Sequence, residues 1–141
     1  MRRCGYAEIR KGKKMEKEGK QAKIKTHKDL EIWNLGIELV QVLYRITNSF
    51  PKDEIYGLAA QMRRAAVSVP SNISEGAARN SRKEFIQFLY IALGSLAELE
   101  TQIIISHKLK YTDDEAILLE IVEKLRRKLI NFIKYLKGKN T

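Results

Sequence analysis

"RRAAVSVPSNISEGAARNSRKEF" (residues 63–85) places a proline and a run of small hydroxyl and amide residues inside sequence that otherwise reads as helix. If Pro70 ended the helix, the apolar phase would be lost across it. Instead Leu58, Met62, Ala66, Val69, Ile73 and Ala77 step by 4, 4, 3, 4 and 4 through the proline. One helix kinked at Pro70 is expected, because proline cannot donate to the Ala66 carbonyl and its ring crowds that group. Ser68, Ser71 and Ser74 are placed to bond local backbone in the distorted turn. The competing arrangement ends the helix at Val69 and restarts it with Asn72-x-x-Glu75 as a capping box, leaving barely two turns.

Three more helices surround this one. Leu118, Val122, Leu125, Leu129, Phe132 and Leu136 make the seam of the last. The third carries two stripes: Phe85, Phe88, Ala92, Leu96, Leu99 and Ile103, and also Ile86, Tyr90, Leu93, Ala97 and Ile104. It should therefore touch neighbours on two sides, as a central helix or one that also meets another protomer. In the first, Leu30, Trp33, Ile37, Val40 and Tyr44 form a stripe that Ile32, Leu35, Leu39, Leu43 and Ile46 widen. Thr26-x-x-Asp29, Ser81-x-x-Glu84 and Thr112-x-x-Glu115 match the capping box that satisfies unpaired N–H groups at a helix start. Short links at Ser49 to Lys52, Asn80 to Ser81 and Lys110 to Thr112 favour antiparallel neighbours. The expected fold is all-α: an antiparallel up-down-up-down four-helix bundle over residues 29–141, with helices of about 22 to 28 residues.

Charge is unevenly distributed. The chain has a net charge of +10, and residues 1–28 hold eleven Lys/Arg against three Glu, leaving only +2 for the remainder. This arm is apolar-poor and reads as a disordered basic tail. Lys11-Gly12 can be encoded by AAAGGA, which resembles a ribosome-binding site ahead of Met15; translation from Met15 would cut the net charge to +5 by removing six Lys/Arg and Glu8. A basic chain points to polyanionic partners, nucleic acid above all. The single Cys4 permits no intramolecular disulfide, which suits a reducing compartment. With no apolar run near the roughly 20 residues of a bilayer span and no signal-peptide pattern, the expectation is a cytoplasmic protein without a membrane partner.

The face of the second helix opposite its apolar stripe is unusual. Arg64, Ser68, Ser71, Asn72, Glu75 and Arg79 share one line, and beside it Ala66, Pro70, Ser74 and Ala78 form a line of small residues. The plainer account is packing within the bundle plus a solvated edge. The alternative is a surface for another protomer or for RNA phosphates.

The segment "RRAAVSVPSNISEGAARNSRKEFIQFLYIALGSLAELETQ" (residues 63–102) resembles the 23S rRNA intervening-sequence proteins, also called S23-like ribosomal proteins. The resemblance rests on Arg64-Ala65, on Ser68-Val69-Pro70-Ser71-Asn72-Ile73-Ser74-Glu75-Gly76, and on the Phe88, Ala92, Gly94, Ser95, Glu98 spacing. "LEIWNLGIELV" from Leu30 looks like the family's start, so the similarity runs from Leu30 to Leu136 and leaves out the arm. It implies a bacterial four-helix bundle assembling as a homopentamer, with RNA binding implied less strongly. The family is also similar to the accessory protein of diversity-generating retroelements, which binds nucleic acid and a reverse transcriptase.

No chemistry of catalysis stands out. Neither His27 nor His107 has the glutamate three residues earlier that a di-iron bundle needs; Ile24 and Ile104 stand there instead. Glu98 and Glu100 point to different sides of a helix, and no P-loop or GxGxxG occurs. No catalytic residue, metal ligand or cofactor is expected. For RNA or DNA contacts the candidates are Arg63, Arg64, Arg79, Arg82 and Lys83 around the kinked segment, with Lys124, Arg126, Arg127 and Lys128 on the last helix, reading backbone and shape rather than sequence. For the oligomer interface or close packing they are Ala66, Ser68, Pro70, Ser71, Asn72, Ser74, Glu75 and Ala78. Two functions follow: a homo-oligomeric RNA-binding protein, or an oligomeric scaffold docking a protein partner such as a reverse transcriptase.

Overall fold

Side-chain burial follows the apolar phase of each segment and builds four helices. In the computed structural model, which describes residues 26, 27 and 30–138, these are α1 (Glu31–Thr47), α2 (Leu58–Ala77), α3 (Arg82–Lys108) and α4 (Glu115–Gly138). There is no strand among the described residues. Of the arm, residues 1–25 and 28 lie outside them, and with them the expected disorder of the arm, Cys4 and the Met15 start.

The helices pack in ring order, α1 on α2, α2 on α3, α3 on α4 and α4 on α1. Contacts run in descending register. Thr47 meets Arg63 while Gly36 faces Pro70; Ser68 meets Ser95 while Gly76 faces Phe88; His107 meets Glu115 while Phe85 meets Phe132. The core between them includes Leu39, Leu43, Met62, Ile73, Phe85, Leu89, Leu96, Leu99, Ile103 and Leu118, all fully buried. Each such leucine stabilises the fold by about 1.5–3 kcal/mol relative to an exposed one.

α2 is one helix through Pro70, so the restart at Asn72 does not occur. The expected phase holds: Met62, Ala66, Val69, Ile73 and Ala77 are buried and Leu58 is half-buried against the core. Ser74 Oγ donates to the Ser71 carbonyl at 3.0 Å and Asn72 Nδ2 to that of Ser68 at 2.7 Å. These bonds support the backbone C-terminal to the carbonyl that Pro70 leaves without its helical donor.

Several expectations are corrected. In α1 the stripe that enters the core is Ile32, Leu35, Leu39, Leu43 and Ile46. Trp33, Ile37 and Val40 are half-buried and Tyr44 is exposed. In α4 the seam passes through Ile133 rather than Phe132, which is half-buried and meets Phe85 edge-on at 5.7 Å. Over five turns a 3.6-residue helix drifts off a strict 3.5 repeat. α1 and α2, at 17 and 20 residues, are shorter than expected.

The links differ as well. The first spans residues 48–57 and contains a 3-10 turn, Lys52–Glu54. Of the capping boxes, Ser81 forms its cap, accepting from Glu84 N at 3.1 Å. Thr112 Oγ1 instead accepts from Asp114 N at 2.9 Å, and α4 begins at Glu115. The first box involves Asp29, outside the described residues, and α1 starts after Leu30 without a side-chain cap.

Glu54 organises the pole where the first and third links meet. Its Oε1 accepts from Leu58 N at 2.8 Å, capping α2 from four residues upstream, and its Oε2 accepts from Tyr111 Oη at 2.9 Å. The Leu58 N–H and then the Tyr111 hydroxyl hold its carboxyl below the usual carboxylate range. A lowered folded-state pKa stabilises the fold above the ordinary value and loses that contribution as pH falls through the folded value. We expect Glu54→Gln to lower Tm at pH 7, and the gap between variant and wild type to close below about pH 4. Melting curves from pH 7 to pH 3 with a constant gap would contradict this.

Candidate nucleic-acid interface

The nine basic candidates do not form one surface, and most are engaged within the bundle. Arg63 spans the α1–α2 corner: its Nε donates to Thr47 Oγ1 at 2.9 Å, an Nη donates to Asn48 Oδ1 at 3.0 Å, and its guanidinium lies 4.6 Å from the Tyr44 ring centroid. On α4, Arg126 makes a fork onto Glu123, with Nη to Oε2 at 2.6 Å, while Arg127 reaches the same carboxylate at 3.7 Å. That pairing holds Glu123 below the usual carboxylate range. Lys128 crosses to Glu31 on α1 at 3.1 Å. The Lys124 to Lys128 run is thus mostly a set of ion pairs on a solvated face, each adding little to stability.

A different group gathers where α2 ends, α3 begins and α4 ends. Arg79 pairs with Glu75 at 2.9 Å and lies 4.9 Å from the Phe88 centroid. Arg82 and Lys83 occupy the first turn of α3. On its other flank Lys137 donates to Tyr90 Oη at 2.7 Å and sits 5.1 Å from that ring. Lys134 is exposed one turn before Lys137 on α4. Lys134 and Lys137 were absent from the sequence-derived set. They stand apart in a lysine-rich tail and reach the α2–α3 turn only because α4 returns to the start of α3.

The small-residue line of α2 resolves as intramolecular packing over half its length. Ala66 and Pro70 are buried, and a Cβ built on Gly36 would lie 3.3 Å from Pro70 Cβ, so α1 and α2 touch closely there. Ser68 and Asn72, expected on the open face, are half-buried in the α2–α3 seam: Ser68 Oγ lies 2.7 Å from Ser95 Oγ and accepts from Asn72 Nδ2 at 2.9 Å. Ser71 and Glu75 are exposed, and Ser74 and Ala78 half-buried.

These contacts give physical roles to the residues that carried the resemblance, and the sequence matches the 23S rRNA-intervening sequence protein family over residues 28–136. The chain belongs to that family. A search of curated proteins found no match. In this intervening-sequence protein no cluster of three or more His, Cys, Asp or Glu able to hold a metal occurs among the described residues. His107 points its Nδ1 at Glu115 Oε1, 3.1 Å away, and lies 3.3 Å from the Thr112 carbonyl, tying α3 to α4. Glu98 accepts from Gln102 at 3.2 Å.

Proposed function

We propose that this intervening-sequence protein is a non-catalytic, cytoplasmic homo-oligomer that binds RNA through phosphate contacts, in association with large-subunit rRNA. The observation that carries the reading is the family membership of a chain with net charge +10. Affinity then comes from counterion release and is steeply salt-dependent, with little sequence preference. The test is binding of the full chain to a labelled rRNA hairpin and to duplex DNA by fluorescence anisotropy between about 50 and 200 mM salt. Both should bind, with log K falling by roughly 0.7–0.9 per phosphate contact. No binding at the lowest salt would sink the reading.

Self-association has its own support. α3 exposes Ile91, Ala97, Ile104 and Ile105 on its outward side, while on α1 Ile37 is half-buried, Tyr44 is exposed, and Trp33 and Val40, packed against the core, stay partly open to solvent beside exposed Val67 of α2. α1 and α3 stand diagonally in the ring of helices, so these surfaces look in opposite directions. Two different faces pairing with each other make a heterologous contact, which closes into a ring when the rotation allows. A pentamer is the size the family resemblance implies. The same surfaces favour the second reading, a scaffold for a protein partner, since most basic candidates already have partners within the bundle. Capture of a protein that survives nuclease treatment, by a chain that does not bind the hairpin, would select it.

A further inference from the structure

We infer that the nucleic-acid surface is one pole of the bundle, formed by Arg79, Arg82, Lys83, Lys134 and Lys137, and not the helix-four run Lys124 to Lys128. The inference rests on the RNA-binding reading and assigns its surface. Charge is segregated along the bundle axis. The half comprising residues 30–39, 68–95 and 126–138 carries eight Lys/Arg against four Glu, a net of +4. The other half, residues 40–67 and 96–125, carries seven Lys/Arg against nine Asp/Glu, a net of −2. A phosphate backbone approaching along the axis is attracted at one end and repelled at the other.

Within the positive half, the side chains best placed for phosphate are those at its tip. Arg126, Arg127 and Lys128 are drawn to Glu123 and Glu31. Lys83 and Lys134 are exposed and have no ion-pair partner shown among the described residues, while Lys137 rests on a neutral phenol rather than a carboxylate. Arg79, although paired with Glu75 on its own helix, and Lys137 lie on opposite flanks of α3, against Phe88 and Tyr90, so the pole's cations unpaired among the described residues are Lys83, Lys134 and Lys137, with Arg79 beside them. The positions converge only in three dimensions.

The basic segment attaches here too. Leu30 N donates to the His27 carbonyl at the start of α1, so the chain enters the bundle at this pole. The preceding residues 1–25 hold ten Lys/Arg and three Glu. A Lys or Arg that contacts phosphate contributes to affinity for any sequence and adds to the salt slope.

The test compares the full chain with two charge-matched double variants, Lys83→Glu with Lys134→Glu at the pole, and Arg64→Glu with Lys124→Glu in the other half. All four positions are exposed, and circular dichroism melts check that both variants fold. Binding to a labelled rRNA hairpin across a salt series should weaken about tenfold or more for the pole variant, with the salt slope shallower by about 1.4–1.8, the value for two lost contacts. The control variant should keep the wild-type slope. Equal losses in both variants, or a pole variant that binds like wild type, would overturn the assignment while leaving RNA binding intact. A wild-type chain that does not bind the hairpin would overturn both.

Discussion

Gly76→Ala is expected to destabilise the bundle by about 1–2 kcal/mol net, since forcing a carbon into a packed core typically costs about 1–3 kcal/mol. Gly76 ends the Ser-x-Pro-x-Asn-Ile-x-Glu-Gly stretch and is buried near the end of α2. A Cβ there would stand 2.7 Å from Phe88 Cβ, 3.0 Å from Phe85 Cδ1 and 3.3 Å from the Phe85 carbonyl oxygen. Neither obstacle is the free end of a flexible chain. Phe88 Cβ is fixed to the α3 backbone, and the Phe85 ring is fully buried against Phe132. Relief therefore requires moving α3 away from α2 where the two helices are joined by the shortest link in the fold. Alanine's intrinsic helix advantage over glycine, about 1 kcal/mol, offsets only part of this. Gly94→Ala is the internal control, since a Cβ there meets nothing within 4 Å. Thermal unfolding of the two variants should show Tm lowered by several degrees or more for Gly76→Ala and unchanged or raised for Gly94→Ala. Equal melting temperatures would show that α3 yields without cost, and the close-approach account of the glycine would be wrong.

The glycine also illustrates what a single sequence conveys. Continuity of the apolar phase through Pro70 was readable, because burial in α2 obeys the helical period whatever surrounds it. The two stripes of α1 were not separable by pattern. Ile32, Leu35, Leu39, Leu43 and Ile46 are not set apart by pattern from Trp33, Ile37, Val40 and Tyr44; the packing of α1 against its neighbours, with Gly36 close on Pro70, turns the first set into the core. The ion pairs divide in the same way. Arg126 with Glu123 is a three-residue spacing on one helix and is local; Lys128 with Glu31 joins the two ends of the fold. The pattern of Lys124 to Lys128 by itself does not show that Lys128 reaches Glu31 on the first helix. Conversely, Lys134 and Lys137 gain meaning only once α4 is laid beside the start of α3. Local rules carried the elements, while the candidate surface depended on register between helices.

Ala97→Arg should convert the proposed oligomer to a monomer while leaving the bundle folded. Ala97 is exposed on α3, between the levels of Ile91 and Ile104, which are 51% and 41% exposed. Nothing in the bundle requires a small residue there: the core side of α3 is filled by Leu89, Ala92, Leu96, Leu99 and Ile103. An arginine at 97 therefore costs the isolated fold little, as surface substitutions generally do, within about 0.5 kcal/mol. At an interface between copies it would bury an unpaired guanidinium and wedge the two surfaces apart. Leaving a buried charge without a partner costs about 3–5 kcal/mol, a loss of about two to nearly four orders of magnitude in the association constant at each contact. In a ring the penalty recurs at every interface. Sedimentation velocity at micromolar concentration should then give an oligomer for the wild type and a 16.3 kDa species for the variant, with matching circular dichroism spectra. A wild-type chain that sediments as a stable monomer would remove the oligomer from the proposed function, and the exposed apolar side of α3 would then belong to a different protein partner. A variant that remains oligomeric would instead move the interface to another face of the bundle, with the paired α1 and α2 surface, around Trp33, Ile37 and Val67, the next to be substituted.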